Sequence, residues 1–426
     1  MSPDLFLGID LGTSGCRIIA INERGEIQGR SHVPLPPPRR QGMAIEQNPA
    51  QWWQAIKQAL TSLFQTVPAK AVRSLAVDGT SGTVVLVDRN GNPLTPALLY
   101  NDSRSHAEAR LIAEQALPHS GALGPTSSLA KLLYLQSCPE ALQAAYLLHQ
   151  ADWIAFRLGA KLGISDENNC LKTGYDSIRQ EWPDWLSRVG VRRELLPAVV
   201  PPGALIGTID PSHTETFQIS PQAKLVAGTT DSIAAFIATG AEKPGDAVTS
   251  LGSTLALKVA SEHPIFSAKH GIYSHRLGKL WLAGGASNSG GVVLRQHFTQ
   301  AQLDKMTPHL QPQQTTGLNY YPLPAQGERF PIPDPHYSPR LTPRPLDNVT
   351  FFQAILEGIA RIEAQGYRQL QLLGAPFPSL VKTTGGGARN PAWLQIREQT
   401  LRVPVITACE TEAAYGSALL ARQALS

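Results

Sequence analysis

The sequence predicts an α/β protein of two lobes, and three observations carry that expectation. A chain of 426 residues, 42% apolar and only 16% charged, can bury large cores and is long enough for two or three domains. Strand and helix signals mix in both halves. Two turns of glycine and hydroxyl residues, Gly12-Thr13-Ser14 and Gly252-Ser253-Thr254, are each flanked by strand-like apolar runs and share one design. Their repetition points to a duplicated α/β lobe, with the two turns facing each other across a cleft.

The elements follow in order. Phe6 to Asp10 and Arg17 to Asn22 read as a β-hairpin around Gly12 and Gly15, and Gly25 closes the unit. Pro34, Pro36, Pro37 and Pro38 predict an extended connector. Asn48-Pro49 supplies an N-cap with proline at the first helical position, for a helix through Trp52 and Trp53 to about Phe64. Strands are expected over Ser74 to Asp78 and Thr83 to Asp88, with a turn at Asn90-Gly91, and helices over Ser105 to Ala116 and Lys131 to Gln136. A strand from Lys224 to Ala227 runs into Gly228-Thr229-Thr230-Asp231, which opens a helix. The second β-turn-β unit pairs Ala247 to Leu251 with Leu255 to Val259. A glycine run, Gly385-Gly386-Gly387, precedes a helix from Pro391 to Leu401. The lobes are expected over 1–238 and 239–410, and the closing helix 411–426 can return to the first.

Composition excludes several classes. The 37 basic and 33 acidic residues are scattered, with Arg39-Arg40 the densest pair, so no nucleic-acid footprint is visible. Cys16, Cys138, Cys170 and Cys409 lie far apart without a CxxC pair, against a zinc knuckle or disulfide scaffold and in favour of a reducing setting. No basic leader with a cleavage site and no apolar run of about 20 residues is present, so a cytoplasmic, membrane-free protein is expected. The histidines show no HxxH or HExxH spacing, and Gly-x-Ser-x-Gly is absent.

The motifs that remain suit phosphate chemistry. In Asp10-Leu11-Gly12-Thr13-Ser14-Gly15, glycines let backbone N–H groups approach phosphate oxygens, hydroxyls add donors, and the rim carboxylate can hold Mg²⁺. An ordinary hairpin turn explains either motif alone; two matching turns favour phosphate. The glycine run is not GxGxxG, which disfavours a dinucleotide site. Asp231, where a Gly-Thr-Thr turn enters a helix, is the candidate base for a hydroxyl acceptor, with a helix cap as the plainer role and Asp78 as its rival. Thr80, Ser81, Asn101 and Asp102 are candidate sugar contacts, although Asp102 and Arg104 can equally form a local ion pair.

Taken in order, these segments resemble the FGGY family of carbohydrate kinases over nearly the whole chain. Gly8 to Ser14 resembles its phosphate hairpin, Glu46-Gln47-Asn48-Pro49 with Trp52-Trp53 its EQDP-xx-WW segment, and Asn101-Asp102-Ser103-Arg104 its W-N-D-x-R. Lys131 to Leu135, Gly327 to Pro331, Glu357 to Ala360, Gly385 to Asn390 and Glu412 to Gly416 are similar to its K-L-x-W-L, G-E-R-x-P, E-G-I-A, adenine-loop and E-x-x-x-G segments. The resemblance implies two ribonuclease-H-like lobes of the actin/hexokinase/Hsp70 type around a central cleft, with ATP and Mg²⁺ as cofactors and a small ketose as substrate. It assigns the catalytic base to Asp231, the magnesium side to Asp10 and the second phosphate turn to Gly252, Ser253 and Thr254. Adenosine is assigned to Gly386, Gly387 and Asn390, with Trp393 stacking on it.

Departures bear on the sugar. Gly79-Thr80-Ser81-Gly82-Thr83 replaces the Gly-Gln-Met-His-Gly of xylulose kinases, and Tyr100 and Tyr134 stand where tryptophans are usual. The shortened chain resembles a cyanobacterial and plant xylulose kinase-like subgroup inclined to D-ribulose, so D-ribulose is the expected acceptor. D-xylulose and glycerol or another polyol are the enzyme alternatives; a non-catalytic binding protein or a sugar-independent ATPase is the alternative of another class.

Overall fold

The strand Leu5–Leu11 (β1) buries all seven of its residues, the near-continuous apolar run of a strand covered on both faces. It belongs to a computed structural model that describes residues 3–117 and 119–425. Two bodies are present: residues 3–238, 275–278 and 412–425 form one, and residues 239–274 and 279–411 form the other.

In the first body β1 pairs antiparallel with Gly15–Ile21 (β2), which pairs antiparallel with Ile27–Pro34 (β3). On its other side β1 runs parallel to Val72–Gly79 (β4), and Leu205–Thr208 (β5) and Lys224–Val226 (β6) complete the order β5-β6-β4-β1-β2-β3. The edge strand β3 extends through Pro34, where a connector was expected, because a proline at the end of an edge strand breaks no central ladder. Along β1 the residues alternate between faces. Leu5, Leu7, Ile9 and Leu11 share a core with Trp52, Ile56, Leu60 and Leu63 of the helix Pro49–Leu63. On the opposite face Gly8 meets the closing helix Ala413–Gln423 so closely that a Cβ would stand 1.8 Å from the Ala414 carbonyl oxygen. The same helix touches the helix Asp231–Ala238 backbone to backbone: a Cβ on Gly416 would lie 1.8 Å from the Ala234 carbonyl oxygen. Asp231 is therefore held by close packing between glycine-bearing surfaces.

A smaller sheet in this body orders Arg39–Gln41, Ala44–Gln47, Ala97–Leu98, Val84–Val87 and Tyr146–His149. The helices His106–Gln115 and Ser128–Gln136 share its apolar core through Ile112, Leu129 and Leu132.

The second body repeats the first arrangement. Asp246–Leu251 (β7), Leu255–Ser261 (β8) and Leu280–Ser287 (β9) are antiparallel in succession, while Leu380–Thr384 (β10) and Val405–Thr407 (β11) run parallel beyond β7. The order β9-β8-β7-β10-β11 matches β3-β2-β1-β4-β6 strand for strand. Both bodies are ribonuclease-H-like.

A buried ion pair braces the second body. Arg397 and Glu363, both 0% exposed, meet through bonds of 2.6 and 2.7 Å, and Arg397 also donates to the Thr383 hydroxyl at 2.6 Å. Thr249 of β7 donates to Glu363 at 2.5 Å. One network thus joins β7, β10, the long helix Asn348–Leu372 and the helix Pro391–Leu401.

Candidate active site

In the first body the β1–β2 turn is shaped by its own backbone and by a distant glutamine. Gly12 N–H donates to the Gly15 carbonyl at 3.0 Å, and Leu35 N–H donates to the Ser14 carbonyl at 2.9 Å. Gln47 donates through Nε2 to the Thr13 and Pro36 carbonyls and accepts the Trp52 indole N–H at 2.7 Å. Gln47 is the support of the turn, and its part became visible only in three dimensions. At the end of β1, Asp10 is 7% exposed and receives the Arg17 guanidinium at 3.3 Å.

Asp10 stands opposite Asp78 in the β1–β4 register. Burial, and next the charge of Asp10, push the Asp78 carboxyl well above the ordinary carboxylate range. Asp78 is 0% exposed and its Oδ2 accepts the Ser417 hydroxyl at 2.6 Å. Asp231 differs. It begins a helix behind Thr229 and Thr230, both fully buried, is itself only partly buried, and accepts the Ser232 N–H at 2.6 Å. Asn168 fixes the approach to it by donating to the Thr229 hydroxyl at 3.0 Å.

Beyond β4 lies a patch rich in unmatched polar atoms. Thr80 bonds the Gln150 side-chain oxygen through N–H at 3.0 Å and through its hydroxyl at 2.8 Å, and touches the Thr83 hydroxyl at 2.6 Å. Gln150 Nε2, Ser81 Oγ, Asn101 Oδ1 and Ser128 Oγ are buried without a protein partner. Native structures seldom leave such atoms unmatched, and a polyhydroxylated ligand supplies both donors and acceptors. Lys131, 0% exposed, holds the patch in shape by donating to the Gly82 and Leu99 carbonyls at 2.7 and 2.6 Å; burial pushes its pKa down to about 7.

Asp102 is corrected here. It is 0% exposed, takes the Ile45 N–H at 2.7 Å and binds Arg104 through Nη2 at 2.6 Å, because a buried carboxylate needs a charged partner. The plainer reading, a local surface ion pair, is met by a buried pair instead, and protein donors reach both Asp102 oxygens.

In the second body the turn Gly252-Ser253-Thr254 receives two backbone donors, Gly291 N–H to Gly252 O at 2.9 Å and Val292 N–H to Ser253 O at 3.1 Å. Arg295 donates through Nη2 to the Ser253 hydroxyl at 2.8 Å. Gly385 has φ +81°, and a Cβ there would lie 2.7 Å from the Leu251 carbonyl oxygen, so the approach of this loop to β7 requires glycine. A pocket of about 700 Å³ opens here, lined among others by Gly252, Ser253, Gly386, Gly387, Asn390 and Trp393. Asn390 caps the following helix by accepting the Trp393 N–H at 3.0 Å. Trp393 is 2% exposed, donates its indole N–H to the Leu356 carbonyl at 3.2 Å, and lies close under Gly387. Trp393 thus lines the pocket with its ring largely buried.

Comparison with known proteins agrees with this architecture. Residues 5–238 match the N-terminal domain and residues 247–425 the C-terminal domain of the FGGY family of carbohydrate kinases. The chain is 27% identical to a xylulose kinase of Escherichia coli K12, covering 92% of this chain and 84% of that one. A gluconokinase of Bacillus subtilis is 23% identical over 94% of this chain and 83% of its own. Among solved structures, a xyloylose kinase from Brucella ovis superposes with a TM-score of 0.88 at 25% identity, covering 99% of this chain and 90% of that one. A phosphotransferase acting on sugars is the class defined. The chain belongs to the FGGY family of carbohydrate kinases, whose sugar kinases use ATP. Among the described residues no helix is long and apolar enough to cross a membrane, and no group of three or more His, Cys, Asp or Glu forms a metal cluster.

Proposed function

We propose that the protein transfers the γ-phosphate of MgATP to the C5 hydroxyl of D-ribulose, giving D-ribulose 5-phosphate, with Asp231 as general base. The observation that carries this reading is the contrast between two neighbouring carboxylates. Asp78 is fully buried and bonded to Ser417, whereas Asp231 sits partly open at a helix start beyond the Thr229-Thr230 turn. Asp231 accepts the hydroxyl proton as the sugar oxygen bonds to the γ-phosphorus; the bond from that phosphorus to its bridging oxygen breaks, and ADP leaves. Because the phosphoryl transition state is loose, positioning and charge neutralisation dominate the catalysis.

Gly12, Thr13 and Ser14 in one body and Gly252, Ser253 and Thr254 in the other are proposed phosphate contacts; Gly386, Gly387 and Asn390 border adenosine. Thr80, Ser81, Asn101 and Gln150 are proposed to meet the sugar. Asp10 fits the magnesium side: Mg²⁺ takes one or two carboxylates together with substrate phosphates and water, and the Asp10 carboxyl at the end of β1, beside a glycine turn, suits that donor set. When bound, the ion neutralises charge on the phosphate oxygens.

D-xylulose is the second reading, favoured by the names of the Escherichia coli and Brucella ovis relatives. The two pentuloses differ in configuration at C3, so the choice lies in the hydroxyl-facing patch, where Thr80-Ser81 departs from the xylulose-kinase pattern. Initial rates of ADP release with each sugar decide. A kcat/KM at least tenfold higher for D-ribulose supports the first reading, and the reverse preference supports the second.

A further inference from the structure

We infer that Arg295 is a binding residue for the nucleotide's polyphosphate chain, an arm fixed on the second phosphate turn. This rests on the reading of the pocket in the second body as the nucleotide site. Arg295 lines that pocket with Gly252, Ser253, Gly386 and Gly387, and its side chain lies at the exposed side of the helix Gly291–His297. One of its five N–H donors is engaged by the Ser253 hydroxyl at 2.8 Å. That bond aims the guanidinium at the turn where phosphate is expected, and the remaining fork of donors matches two phosphate oxygens at once.

The residues that line the pocket support the assignment. Arg295 and Arg389 both line the pocket, together with Leu303, Thr307, Pro308 and Phe352, and Asp304 is engaged by Gln300 at 2.8 Å. Apolar lining suits a base, and guanidinium groups in the wall suit phosphates.

Calorimetric titration of the full chain with adenosine, AMP and ADP tests the inference on wild type, Arg295→Gln and Arg295→Lys. Loss of a charge-assisted bond predicts ADP binding weakened about ten- to hundredfold in Arg295→Gln, partial recovery in Arg295→Lys, and adenosine affinity unchanged. Unchanged ADP affinity overturns the inference. Equal weakening of adenosine and ADP overturns it in favour of a bracing role. Wild type that binds none of the three overturns the nucleotide reading itself, and the role of Arg295 with it.

Discussion

Asp10 and Asp78 stand side by side on the parallel strands β1 and β4, and the residues at the corresponding register of the second body, on β7 and β10, are Ser250 and Thr384. The duplicated fold thus keeps carboxyl groups near the ends of the central strands of one sheet and neutral hydroxyls at the matching place in the other.

Asp231 is the first residue to change. Asp231→Asn keeps the side-chain shape and the acceptor for the Ser232 N–H but cannot take a proton. Turnover is expected to fall by about 10²–10⁴, with ADP affinity and thermal midpoint near wild type. Coupled ADP release and calorimetry read these quantities, and near-normal turnover contradicts the assignment.

Gly416→Ala tests how the Asp231 helix is held. The new Cβ would stand 1.8 Å from the Ala234 carbonyl oxygen, so the two helices must separate. Overpacking of this kind costs about 1–3 kcal/mol, to be read from urea unfolding, and the displaced Asp231 is expected to lower kcat more than it raises the KM for ATP.

Lys131 gives a pH signature. Its pKa is about 7 in the folded chain, lowered by burial from 10.5, so the folded state binds fewer protons than the unfolded state between those values. Its contribution to stability is fully present above pH 10.5 and is lost as pH falls through 7. In Lys131→Met that rising component between pH 7 and 10 should disappear from the urea midpoint, and the sugar KM should increase as the Gly82 and Leu99 carbonyls lose their common donor.

Arg397→Met leaves Glu363 buried and unpaired. Removing one partner of such a pair costs about 3–5 kcal/mol. Adding Glu363→Leu should restore much of that loss, because two apolar side chains no longer bury a lone charge; urea unfolding of the single and double variants measures the difference.

How much was legible in the sequence follows from the range of the interactions. The turns, the β1–β2 hairpin and the capped helix Pro391–Leu401 are encoded by neighbours: Asn390 and Pro391 announce that helix start, and Asn390 does cap it. The unmatched atoms of Ser81 and Asn101 lie in segments that polar composition alone marked out. By contrast, Ser417 reaches Asp78 from 339 positions away, and no local pattern signals it. Gln47 supporting Thr13, Gln150 orienting at Thr80 and Arg295 bonding Ser253 are likewise products of topology. Asp102 misled because a buried ion pair and an open sugar contact have the same sequence; only burial separates them. The strand β3 drew no assignment from the sequence, because an edge strand of alternating exposure carries a weak apolar signal and only its terminal Pro34 was read, as the start of a connector.

Sugar-dependent ADP release from MgATP tests the central claim most directly, with D-ribulose, D-xylulose, glycerol and no sugar measured side by side. The account predicts release that requires sugar and is fastest with D-ribulose, accompanied by formation of D-ribulose 5-phosphate. Release at the same rate with and without every sugar, with no phosphorylated product, would contradict it.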